Sequence, residues 1–173
     1  MTLKLQARPS ENDTSYALRM PEIEELAHWV NERARETLAS DGEHALMFFL
    51  VGGDGQIRPQ LVDATTRDEM PEALNRIADE VKRGEATAVV VVGEAWTAPS
   101  ESVQAGGVAE SLEARDILFV AALNAGGGEL TLETPVRRDD DQSVTLGETQ
   151  TTDTHSLFLN PVRRLWGLNQ AEG

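Results

Sequence analysis

Residues 87–96 read Thr-Ala-Val-Val-Val-Val-Gly-Glu-Ala-Trp, and no other stretch constrains the fold as much. Four successive valines are stiff at χ1 and suit a pleated surface. With no polar alternation, the run predicts a strand covered on both faces, in the middle of a sheet. Each valine moved out of water contributes about 1.5–3 kcal/mol. The run closes on Gly93, Glu94 and Trp96. Strand ends in open α/β sheets are places where ligands tend to sit.

The flanking periodicities supply the rest of a single α+β domain. Pro21 opens a helix on which Ile23, Leu26, Ala27, Val30, Ala34 and Leu38 share a face, and Gly42 ends it. Leu46 to Val51 and Ile57 to Val62 flank Gly52-Gly53-Asp54-Gly55, which predicts a hairpin. Pro59 places its second strand at an edge or a bulge. Asp68 and Pro71 start a second helix carrying Met70, Leu74, Ile77 and Val81, closed by Gly84. Because that helix precedes the valine strand, a parallel crossover is expected. Ile117 to Leu123 and Leu130 to Val136 form a second hairpin about Gly126-Gly127-Gly128. Weaker strands are expected at Val144 to Leu146 and at His155 to Leu159. The order is α-β-β-α-β-(loop)-β-β-(β)-(β): a mixed, mainly antiparallel sheet of about five to seven strands with two helices packed on it. Residues 1–20 read as a loosely ordered arm, 21–160 as the domain and 161–173 as a tail.

Composition removes several functions. Fifteen basic residues stand against 30 acidic ones, a net charge of −15, which disfavours a phosphate backbone as partner. With no cysteine there is no disulfide, thiol nucleophile or Cys-ligated zinc. No apolar run reaches the roughly 18 residues of a membrane span. Residues 1–9 lack the pattern of a secretory signal, so the expected location is the cytoplasm, with no membrane partner.

Over Pro21 to Val136 the element order resembles that of zinc nucleotide deaminases and of JAB/MPN metalloproteases. Deaminases start the second helix with His-x-Glu and use a later Pro-Cys-x-x-Cys. Here that helix starts Asp68-Glu69-Met70-Pro71-Glu72 and cysteine is absent. The metalloprotease needs closely spaced histidines, whereas His28, His44 and His155 lie far apart. Neither activity carries over. Gly52 to Gly55 fits no dinucleotide or P-loop pattern, and no cofactor is expected. Ser100, Ser102 and Ser111 lie outside any G-x-S-x-G.

Among chemical candidates, His44, Asp63, Glu94, Asp116 and His155 fall at predicted strand ends. Scattered surface acids explain them better than a metal site does. Glu94 and Trp96 lie two apart on one strand, with Arg115 the expected ion-pair partner of Glu94. In the tail, Arg163, Arg164 and Trp166 put two cations beside a large aromatic, a composition found at binding hot spots. The expected protein is non-enzymatic, self-associating (a homodimer) or bound to another protein, through residues among Glu94, Trp96, Arg115, Arg163, Arg164 and Trp166. The alternative is a hydrolase at the end of strand 87–94 and loop 97–109, with Glu94 and His44 or His155 as acid–base groups.

Overall fold

The computed structural model describes residues 20–97 and 115–171. Their order is α1 (Met20–Asp41), β1 (Met47–Val51), β2 (Ile57–Leu61), α2 (Met70–Arg83), β3 (Ala88–Thr97), β4 (Arg115–Asn124), β5 (Glu129–Arg138), β6 (Val144–Leu146), β7 (Gln150–Thr152) and α3 (Asn160–Leu165). The strands form one seven-stranded sheet, β2-β1-β3-β4-β5-β6, with β7 also on β5. The α+β reading and the strand count hold.

The valine strand lies between β1 and β4. Its side chains alternate between two cores. Val90 and Val92 point to the α1 side, with Val120, Ala122 and Leu132. Val89 and Val91 point to the side covered by α2 and α3, with Phe48, Leu50 and Phe119. Helices therefore cover both faces, and all four valines are buried. Phe48 and Phe49, adjacent on β1, find cover within the chain: Phe48 in the second core, Phe49 against the first. Gly93 has its own reason for being glycine. A Cβ there would stand 2.9 Å from Leu46 Cδ1, closer than real Cβ atoms come, and a tight 3.3 Å from Leu46 Cα.

α2 connects β2 to β3, which run parallel but with β1 between them, so every hydrogen-bonded pair in the sheet is antiparallel. The parallel crossover exists, but it spans one strand. At the start of α2, Thr66 and not Asp68 is the cap of a 3₁₀ turn, Arg67–Glu69, that leads into the helix. The Glu69 carboxylate accepts from Thr65 N (2.8 Å), Thr65 Oγ1 (3.0 Å) and Thr66 N (3.4 Å). These bonds lower the Glu69 pKa from its ordinary 4.5.

β2 is an edge, as Pro59 requires. Gly52 N donates to Gln56 O, and Val62 N to Leu46 O. Counting in twos from those pairs, Arg58 and Gln60 bond to β1, so the backbone of Pro59 faces outward. An outward proline has no N–H to offer an incoming strand. The opposite edge is β6 and β7, three residues each.

One reading near the C-terminus is corrected. Residues 155–159 are not a strand: His155 and Ser156 are irregular, and Leu157–Leu159 form a 3₁₀ turn running into α3. Within the tail from 161, residues 161–165 belong to that helix, and Val162 and Arg163 are buried. The expected arm lies outside the described residues except for Met20, as do residues 98–114, which include Ser100, Ser102, Ser111 and most of the loop 97–109.

Candidate functional site

Two polar clusters border the sheet. At one end, on the α1 face, strand alternation carries Leu130, Leu132 and Val136 of β5 on to Arg138. Its guanidinium reaches back across β4. Nη1 donates to Asp116 Oδ2 (3.3 Å), and Nη2 donates to Gly42 O (2.9 Å) and to Glu94 Oε1. The other Glu94 oxygen accepts the His44 backbone N–H at 3.0 Å. The bond to Glu94 raises the Arg138 pKa above its usual value, against a smaller opposing effect of burial. The cluster ties the end of α1 to three strands. Both Glu94 oxygens are engaged, and the His44 ring contributes nothing to them. Its Nδ1 sits 2.7 Å from Ala45 O.

Arg115 is the expected partner of Glu94, and among the described residues the structure pairs Glu94 with Arg138. Arg115 and Trp96 belong to β4 and β3, and their side chains lie outside the described residues. Arg138 is the residue that sequence reasoning missed. The signal was present in the period-2 run ending at Val136.

The second cluster is on the opposite face, at the other end of β4, where Glu129 pairs with Leu123 in register. Glu129 Oε1 accepts from Arg163 Nη2, and Oε2 lies 2.8 Å from His155 Nδ1. The Arg163 side chain is only 3% exposed, and its Nη1 donates to Ser156 O (2.7 Å) and Asn160 Oδ1 (2.9 Å). A cleft of about 410 Å³ opens beside it, lined by Leu123, Gly127 and Leu168 among others. A carboxylate holding an imidazole by Nδ1 leaves Nε2 outward, the arrangement of a general base. Arg164 is exposed, and Trp166 is half-buried against the second core.

The candidates are thus separated. Glu94 and Asp116 share one cluster with the His44 backbone, and His155 is on the other face at the other end. Asp63 belongs to neither, its carbonyl accepting from Arg76 at 3.1 Å. Among the described residues, no three His, Asp or Glu side chains are placed to hold a metal ion.

A third polar group is internal. Asn31 of α1, 5% exposed, donates to Thr149 Oγ1 at 3.0 Å, and Thr149 Oγ1 lies 2.6 Å from the buried Thr134 Oγ1. Arg35 adds bonds to Gly147 O (2.8 Å) and Thr149 Oγ1 (3.2 Å). These fasten the β6–β7 link to α1.

Among the described residues no helix is long and apolar enough to cross a membrane. Compared with known proteins, residues 8–172 match the family model described as Bacteriophage lambda protein ea47. No curated protein and no solved structure matches the chain.

Proposed function

The chain belongs to the bacteriophage lambda protein ea47 family, and we propose that it is a non-enzymatic cytoplasmic protein that self-associates through its C-terminal segment. One observation carries this reading. Of the three large apolar side chains exposed among the described residues, Leu61, Leu157 and Leu165, two lie on the short segment that also presents Arg164 and part of Trp166. Arginine and tryptophan beside aliphatic side chains are what interface centres use. On a chain of net charge −15, an exposed arginine is complementary to the acidic surface of a second copy. Glu94 supports a structural role, since both of its oxygens are bonded within the chain, to Arg138 and to the His44 amide.

The test is sedimentation velocity from low to high micromolar concentration, with Leu157→Asp/Leu165→Asp alongside. Wild type is expected to reach a dimer mass, and the variant to stay monomeric with an unchanged melt. Wild type that remains monomeric throughout removes the reading. A second reading is a hydrolase placed not at the end of strand 87–94 but at the Glu129–His155 pair beside the cleft. Turnover of any generic esterase, phosphatase or nuclease substrate, lost in His155→Gln, would put it first.

A further inference from the structure

Residues 155–171 are wired mainly to themselves. Arg163 Nη1 holds Ser156 O and Asn160 Oδ1. Asn160 grips Ala171 twice, Nδ2 to Ala171 O at 3.0 Å and Ala171 N to Oδ1 at 2.8 Å. Leu168 N returns to Arg163 O at 2.8 Å. The unit is therefore a small folded cap with its own hydrogen bonds. Among the described residues, one ion pair, from Arg163, and the contact of His155 Nδ1 join it to the sheet, and both end on the single carboxylate of Glu129. Its apolar underside consists of the buried Leu159 and Val162, with Phe158 stacked on Phe119 at 5.5 Å between ring centroids. Beside Glu129 the seam is open, as the cleft of about 410 Å³. The chain leaves the sheet after β7, where Thr131 Oγ1 donates to Thr154 O at 2.7 Å, and crosses residues 153–156 without regular structure.

Among the described residues, a second copy has few other ways to bind. Strand addition meets the outward Pro59 on one edge and three-residue strands on the other. A standard interface needs about 800 Å² from each partner, so Leu157 and Leu165 must act together with further surface on both copies. The seam under the cap is already complementary in shape and charge, and a second copy's cap matches it residue for residue. We propose that self-association occurs by exchange, each copy placing its 155–171 cap on the Glu129 side of the other. Exchange needs no new complementary surface, which is why it is a low-cost route to dimers. Leu157 and Leu165 travel with the cap, so this mode uses the same segment as the self-association reading on which it rests.

Charge reversal gives a direct test. Glu129→Arg and Arg163→Glu each set like charges against one another within their own chain. In an exchanged heterodimer of the two, one seam is Arg163 on Glu129 and the other is the reversed pair. Both seams are then matched. The expected result is monomer in each sample alone and a doubled mass only on mixing, read by light scattering. If a reversed chain does not fold, cross-linking decides. The chain has no cysteine, so Phe119→Cys/Phe158→Cys carries a single defined pair for a short bismaleimide. In the dimer fraction, links between chains are expected. Links confined to one chain, or none, overturn exchange while self-association stands. A wild type that sediments only as monomer overturns both.

Discussion

Glu94→Gln removes one charge and almost no volume from the cluster around Arg138. Glutamine can still accept one bond, from either His44 N or Arg138, but its amide turns an N–H toward the other donor. One charge-assisted bond is lost, worth about 1.5–3 kcal/mol where water is excluded. The two side chains here are 24% and 30% exposed, which places the expected cost near the lower end, at about 1.5 kcal/mol. For a domain of this length each kcal/mol moves Tm by about 2–4 °C, so a fall of about 3–6 °C is expected. Urea unfolding should show a lower midpoint at unchanged m, the sign of lost stability without a change in exposed surface. A double-mutant cycle with Arg138→Met isolates the pair, and a coupling of at least about 1 kcal/mol is expected. Asp116→Asn serves as the internal control. Its bond to Arg138 is longer, at 3.3 Å, and more exposed, so its cost should stay below about 1 kcal/mol. A neutral or stabilised Glu94→Gln would refute the structural account, because relief of strain on removing a carboxylate is the mark of a functional site.

Three further perturbations test other parts of the argument. Val91→Asp places an unpaired charge between β1 and β4 and should abolish folding, whereas a soluble variant with a cooperative wild-type melt would contradict the central placement. Thr149→Val leaves Asn31 and the buried Thr134 without their shared partner, and urea unfolding should show a loss of about 1–3 kcal/mol. The lowered Glu69 pKa means that its contribution at the start of α2 is complete above the ordinary 4.5 and is lost as pH falls through the depressed folded value. The Thr65 amide proton, which donates to it, should therefore titrate by NMR with a midpoint below 4.5, and a midpoint at or above that value contradicts the assignment.

Elements with a strong apolar period were legible: α1, the hairpin at Gly52 to Gly55, α2, the valine strand and the hairpin at Gly126 to Gly128. β7 was not, because Gln150-Thr151-Thr152 carries no apolar residue and is defined only by its pairing with β5. Leu157 to Leu159 misled for a different reason. A short apolar run fits strand or helix equally, and a residue before proline is biased away from the helical region. Asn160 nevertheless sits at φ −58°, ψ −41°, a conformation that Arg163 reinforces by bonding back to Ser156 O and Asn160 Oδ1. The Arg138–Glu94 pair was not legible, because Arg115, just before the next long strand, was the cation that the sequence offered. The group that reaches Glu94 comes from one strand further, on β5.

The alternation of Val89 to Val92 between two cores divides the sequence into two nearly separate packing problems. Odd and even positions of β3 answer to different helices, with a sheet of backbone between them. Substitutions far apart and without shared partners add their effects, so changes on the α1 side and changes on the α2 side should accumulate in descendants with little mutual constraint. A lineage could rewrite the face under α1 while the face under α2 and α3 stayed as it was. Divergence among members of the family would then be expected to show as two interleaved patterns of residue change along a single strand.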